Sequence, residues 1–376
     1  MPAPIIHFDH GPDGRACAFR APRRLIVAET PAETPEALAQ LSRARAEGHW
    51  IAGYASYELG YVLMPGLGGL LHANRDTPLL AFGVFDGPET PPPPPSGTAR
   101  LTPPEVLWNR ASYAAAFARL KAYIGAGDAY QVNLTFPMQA RAGGDAQTLY
   151  ARLAARQPVG HGAFADLGVG PVILSRSPEL FFRTDAGGVI ETLPMKGTIA
   201  RGLTPEEDAA RRAWLHGDAK NRAENLMIVD LLRNDLAKIA ETGSVRTPEL
   251  FRVQTYATVH QMVSRVRARL KPGTGPGDIL GALFPCGSVT GAPKRRAMEI
   301  IRELEPEPRG VYCGTIGWSA PDGRSSFNVA IRTLSLFGDG AVRLNVGGGV
   351  VWDSTAPSEY EEALLKARYA RLPGDG

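Results

Sequence analysis

The chain has 376 residues, a length that predicts about two domains or one large composite one. Hydrophobic residues make up 44% and charged residues 21%, which excludes extensive disorder, and 41 Lys+Arg against 38 Asp+Glu leave a net charge of only +3. So small a charge predicts neither a nucleic-acid nor a membrane-surface partner, and three widely spaced cysteines, Cys17, Cys286 and Cys313, build no disulfide framework or metal knuckle and predict a reducing, cytoplasmic setting.

The opening MPAPIIHFDHGPDGR puts His7, Asp9 and His10 where a signal peptide needs an apolar core. Leu59 to Leu71 is uncharged but only 13 residues long and carries four glycines and a proline, too short and broken to span a bilayer. HWIAGYASYELGYVL and PLLAFGVFDG read as strands. Asp86 to Gly97, with Pro91 to Pro95 inside it, is an extended spacer. It predicts an N-terminal subdomain over 1–97 and a catalytic domain over 98–376.

Beyond the spacer, Ser112 to Ala126 has helical spacing, AYQVNLTFPMQA alternates as a strand, and a helix is expected around Gln147 to Arg156. GAFADLG, GPVILS, ELFFRTD and GVIETLPM read as an antiparallel meander. Helices are predicted over Glu206 to Trp214 and Ala219 to Glu241, the second with Leu226, Val229, Leu232, Leu236 and Ile239 as its apolar stripe. FRVQTYATVHQMVSRVRARL reads as one strand and Pro293 to Leu304 as a helix. VYCGTIGW, FNVAIRTLSLF and AVRLNVGGGVVW read as strands, and Pro357 to Arg371 closes the chain as a helix. The pattern is α+β, richer in strand than in helix.

Several segments carry chemistry, each with an ordinary alternative. Glu359 and Glu362 share a face of the closing helix, where like charges repel unless a cation lies between them; a solvated face with Glu362 paired to Lys366 explains them as well as a bound hard cation does. Glu224 opens the apolar run of its helix and reads equally as an ion-pair partner. In PCGSVTGAPKRRAMEII, Ser288, Thr290 and Lys294 with backbone N–H groups could cradle an anion at a helix start, or form an ordinary loop. Gly347 to Gly349 inside a strand imply a bulge or close approach of backbone to a ligand. Lys196 follows an apolar strand; exposed, it is a solvated lysine, and enclosed, its amine becomes a nucleophile. Glu179 reads as a surface carboxylate or an acid, and His260 as a core histidine or a catalyst.

Taken in order, GDAYQVNLT, SRSPELFF, LPMKGT, RAENLMIVDLLRNDL, TYATVHQMVS, GSVTGAPKRRAMEII, RGVYCGTIGW, FNVAIRTL, GGGVVWDS and SEYEEALLKA resemble the chorismate-utilising enzymes, over about Tyr113 to Ala370. The resemblance implies an αββα fold, two large antiparallel sheets packed face to face with outer helices and a site in the cleft between them. Two positions select a branch. Water-adding members carry a lysine base at the place of Gln131, and Gln131 cannot serve as one. Lys196 stands where the anthranilate-forming branch has alanine and the branch that aminates C4 has lysine.

The resemblance further implies roles for individual residues. Lys196 adds at C2 of chorismate as the C4 hydroxyl departs, Glu179 is the acid, and His260 is a polar contact near the leaving oxygen. Mg²⁺ is expected on Glu224 and Glu362 with Glu359 beside them. Arg332 and Tyr312 are expected at the enolpyruvyl carboxylate, Gly348, Gly349 and Lys366 near the ring carboxylate, and Gln131, Ser288, Gly197 and Thr198 as lining. No CGxCLG-like nucleophile is present, so a glutamine amidotransferase subunit is the expected source of ammonia. The anthranilate-forming branch and a catalytically idle scaffold for an amidotransferase are the alternatives.

Overall fold

A computed structural model describes residues 4–93, 95–256 and 259–372; Met1 to Ala3, Pro94 of the spacer, and Ala257 and Thr258 of the TYATVHQMVS motif lie outside them. The described residues form two ten-stranded antiparallel sheets. The first runs Gly291–Ala292, Gln131–Gly144, Ala341–Val350, Thr333–Leu336, Val172–Ser177, His161–Asp166, Ile5–Phe8 and Cys17–Arg20, with two short strands added to Gln131–Gly144. The second runs Met195–Ala200, Val259–Arg269, Val189–Thr192, Leu180–Thr184, Ser325–Asn328, Thr315–Ser319, Trp50–Ala55, Leu80–Phe85 and Arg24–Ala28, with Arg246–Thr255 paired to Val259–Arg269.

One apolar cluster, including Phe8, Phe19, Phe85, Ile173 and Trp318, joins residues of both sheets. A second holds the helices Thr34–Ala46, Pro276–Leu283 and Lys294–Leu304 to the sheets through residues such as Leu41, Leu280 and Ile301. Among the described residues, no helix is long and apolar enough to cross a membrane.

The spacer marks a seam in the sequence that the fold does not follow. Ile5–Phe8 and Cys17–Arg20 complete the first sheet, while Arg24–Ala28, Trp50–Ala55 and Leu80–Phe85 complete the second. Their aromatic side chains explain why: Phe19 packs on Trp50 and Phe85, and Trp50 on Trp318 from far along the chain. Residues 1–97 and 98–376 therefore share one core.

Several segments differ from their expected form; of HWIAGYASYELGYVL, only Trp50–Ala55 is strand and Leu59–Leu63 is a helix. FRVQTYATVHQMVSRVRARL is a hairpin of Arg246–Thr255 and Val259–Arg269. The long helix is Ala219–Ala237, capped by Asp218, whose carboxylate accepts from the Asn221 N–H at 2.8 Å. It buries Ile228 instead of Leu226, which is 42% exposed, because the burying face is set by the strand Val259–Arg269 beneath it. FNVAIRTLSLF is broken: Ser325–Asn328 lies in the second sheet and Thr333–Leu336 in the first.

That break has a counterpart. Val172–Ser177 belongs to the first sheet and Leu180–Thr184 to the second, so the chain also changes sheets at Pro178-Glu179. The two crossings lie side by side, with the Val329 N–H donating to the Glu179 carbonyl at 3.0 Å and the Arg176 N–H to the Arg332 carbonyl at 2.9 Å. Arg332 takes φ 51°, a left-handed conformation that costs a non-glycine residue energy and persists only where surroundings enforce it.

Candidate active site

Glu179 and Arg332, one on each crossing, face a cavity of about 160 Å³. Lys196 enters it from the edge strand Met195–Ala200, Ser288 from the turn Gly287–Val289, and Tyr312 from the loop before Thr315–Ser319. Gly348 and Gly349 form part of its wall on the first sheet, and Lys366 closes it from the helix Ala356–Lys366. These eight residues come from seven separate stretches of chain, and only the two-sheet architecture brings them together.

Two of the cations in the cavity are unusual in lacking partners. Among the described residues, neither the Lys196 amine nor the Arg332 guanidinium makes a hydrogen bond or ion pair. Burial lowers the proton affinity of Lys196, against the opposing pull of Glu179 and Glu224. Glu179 is buried, and burial raises its carboxyl above the usual range although the Ser288 hydroxyl donates to its Oε1 at 2.7 Å. Together these shifts favour an uncharged amine and a proton-carrying acid in one cavity, the pairing that nucleophilic attack with departure of a hydroxyl requires.

Beside the glycine wall the two acidic helices converge. A Cβ at Gly348 would lie 3.2 Å from Glu359 Oε2 and 3.3 Å from Lys366 Nζ. Lys366 donates to the Gly347 carbonyl at 2.9 Å and pairs with Glu362 at 2.8 Å. Glu359 accepts from Ser354 at 2.7 Å, yet burial and the nearby charges of Glu362 and Glu224 raise its carboxyl. Glu224 itself makes no hydrogen bond or ion pair among the described residues. These three carboxylates are the acidic side chains nearest this wall, although among the described residues no three His, Cys, Asp or Glu side chains are grouped closely enough to hold a metal ion by themselves.

The structure does not bring every expected residue to the cavity. His260 is buried between Asp208 and Thr255, with Nε2 and Nδ1 each 2.9 Å from an oxygen of these partners. Its ring thus ties the strand Val259–Arg269 to the helix Pro205–Gly217, and it is not among the residues that line the cavity. Thr198 is exposed, in register with Gln261. Gly197 adopts φ +88°, and a Cβ there would meet Asn221 at 2.8 Å; it lets the Lys196 strand approach the helix Ala219–Ala237. Lys294 pairs with the buried Asp235 at 2.5 Å, and Thr290 donates to the Cys286 carbonyl, so the proposed cradle contributes Ser288 alone. Gln131 is fully buried behind Gly349, where a Cβ would lie 2.8 Å from Gln131 Nε2, and its amide has no partner on either atom.

Other lining residues were not singled out by sequence: Asn133, Met195, Asn345 and Tyr369 among them. Tyr369 carried a signal, since Glu359, Glu362, Lys366 and Tyr369 follow one another at steps of three, four and three and so share a helical face.

The family described as chorismate binding enzyme matches residues 13–371. This chain belongs to that family. The match begins well ahead of Tyr113, in keeping with the strands that the first 97 residues add to both sheets. Aminodeoxychorismate synthase component 1 of Klebsiella aerogenes is 45% identical over 258 residues, covering 69% of this chain and 56% of that protein. Anthranilate synthase component 1 of Streptomyces coelicolor is 41% identical over 275 residues, covering 72% of this chain and 51% of that protein. The aligned region thus spans about half the length of these curated relatives. The crystal structure of anthranilate synthase component I from Streptococcus pneumoniae superposes with a TM-score of 0.81 at 26% identity, covering 99% of this chain and 93% of that one. The two-sheet architecture described above is therefore that of the chorismate-binding enzymes.

Proposed function

We propose that this chorismate-binding protein is an Mg²⁺-dependent enzyme that replaces the C4 hydroxyl of chorismate with an amine, giving 4-amino-4-deoxychorismate, the precursor of p-aminobenzoate and folate. Ammonia would come from a glutamine amidotransferase subunit, in keeping with the "component 1" in the name of the Klebsiella relative. The observation that carries the reading is the Lys196 amine, unpartnered among the described residues, sharing a cavity with the buried Glu179, whose carboxyl burial pushes up. The same lysine favours amination at C4 over the anthranilate-forming reaction of the Streptomyces relative.

In this mechanism the neutral Lys196 amine bonds to C2 of the ring. The ring double bonds shift, and the C4 hydroxyl leaves as water with the proton of Glu179. Ammonia then bonds to C4, the double bonds return, and the C2–nitrogen bond breaks to release Lys196. One proton lost from nitrogen restores Glu179, and the sum is chorismate plus ammonia to aminodeoxychorismate plus water. Arg332 and Tyr312 would hold the enolpyruvyl carboxylate, since a planar guanidinium meets a carboxylate with two bonds. Mg²⁺ held by Glu224 and Glu362, with Glu359 beside them, would neutralise the ring carboxylate and fix its position. The open donor set suits this ion, which keeps several waters and takes only one or two carboxylates beside its substrate, and a cation there would offset the part of the Glu359 rise that Glu362 and Glu224 add to burial.

Purified protein incubated with chorismate, an ammonium salt and Mg²⁺, then with a lyase that converts aminodeoxychorismate to p-aminobenzoate, tests the proposal. p-Aminobenzoate is the expected product; anthranilate, or unchanged chorismate, contradicts it.

A further inference from the structure

We infer that Tyr369 is a substrate-binding residue, its phenol O–H donating to the same carboxylate that Arg332 receives. The inference deepens the functional reading above and rests on it. Tyr369 lies on the turn Ala367–Ala370, one helical step beyond Lys366, and lines the cavity. It is only 7% exposed, and its Oη has no hydrogen-bond partner among the described residues. A buried hydroxyl left unsatisfied costs on the order of 1–3 kcal/mol, and a phenylalanine would fill the same space without that cost. The hydroxyl thus marks a place where something absent from the chain accepts a hydrogen bond.

The neighbouring charge identifies the acceptor. Tyr369 is close enough to Arg332 for the two to interact electrostatically, and Arg332 is itself without an ion pair. A cation and a neutral O–H donor on two residues that line one cavity, both unpartnered among the described residues, match an anion with two oxygens. The acidic group at the other end of the substrate belongs with Glu359, Glu362 and Lys366, on the same helical face. One stripe of the closing segment would therefore address both ends of a dicarboxylate: acidic residues and their cation at its start, a phenol at its finish. Burial keeps the phenol proton in place across the working pH range.

Tyr369→Phe removes the hydroxyl and keeps the ring. The expected result is a rise in KM and in the dissociation constant for chorismate of about ten- to hundred-fold, as for a lost hydrogen bond to a charged group. With it, kcat should stay nearly unchanged and thermal stability should match or exceed that of the wild type. With chorismate esterified at the enolpyruvyl carboxyl, the difference between wild type and Tyr369→Phe should shrink towards none. If wild type binds and aminates chorismate while the variant has the same KM, the inference is overturned and the functional reading stands. If wild type binds no chorismate, both fall. A variant that loses stability and kcat together would show Tyr369 to be a packing residue, which also overturns the inference.

Discussion

Buried charges in this protein fall into two regions that treat them oppositely. Away from the cavity they are matched by counter-ions and carbonyls. Arg309 meets Glu305 with two bonds of 2.7 Å and gives its remaining N–H groups to the carbonyls of Val289 and Asn133. Arg176 binds Asp9, Tyr150 and the Gln157 carbonyl, and Lys294 binds Asp235 and the Leu283 carbonyl. In the cavity, Lys196 and Arg332 have no such partners among the described residues. A chain able to satisfy three deeply buried cations elsewhere has left two unsatisfied where chorismate is proposed to bind. Unmatched charge, more than burial itself, distinguishes the site.

The contrast can be broken or sharpened by substitution. The largest effect is expected for Lys196→Met, which should lower aminodeoxychorismate formation by at least about a thousand-fold, as removal of a nucleophile does; product assays at saturating chorismate would read it. Next, Glu179→Gln should reduce kcat by about 10²–10⁴. In the wild type, kcat should rise with pH as the depressed Lys196 loses its proton and fall as the elevated Glu179 loses its own. The alkaline decline should vanish from the residual activity of Glu179→Gln, and its survival there would assign the acid to another group.

On the matched side, Glu305→Ala leaves Arg309 buried without its counter-ion and should lower unfolding free energy by about 3–5 kcal/mol in urea titrations. The smallest effect has the opposite sign. Lys196→Met removes a charge that the cavity disfavours, and should raise stability by about 1 kcal/mol at neutral pH. The sign follows from linkage: an amine whose folded proton affinity is lowered binds fewer protons folded than unfolded, so it destabilises below its folded pKa. The wild type should recover as pH rises towards 10.5, the ordinary lysine value. A variant less stable than wild type at neutral pH would mean that Lys196 has partners after all.

Much of this was legible in the sequence, and the failures have physical causes. The sheet-rich α+β class followed from alternation and turn residues. Eight of the residues expected at the site line the cavity, because the motifs around them fix both residue type and local backbone. FNVAIRTLSLF shows what periodicity misses. Asn328 to Thr333 reads as continuous strand, but the chain changes sheets there, a tertiary event set by packing on Pro178-Glu179 and invisible to a pattern of period two. His260 shows a second limit, for a histidine beside an apolar strand gives no sign of whether its ring turns to Asp208 or to a ligand. The proline spacer breaks secondary structure without breaking the core, since Trp50 and Trp318 pack across it.

The most direct test of the central claim is the intact mass of the protein after exposure to chorismate and Mg²⁺ without ammonia, followed by peptide mapping. The account predicts an added mass of chorismate less one water, located on Lys196 and absent from Lys196→Met. Protein that consumes chorismate and yields aminodeoxychorismate once ammonia is supplied, yet carries no label at Lys196 under rapid quenching and aminates equally well as Lys196→Met, would contradict it.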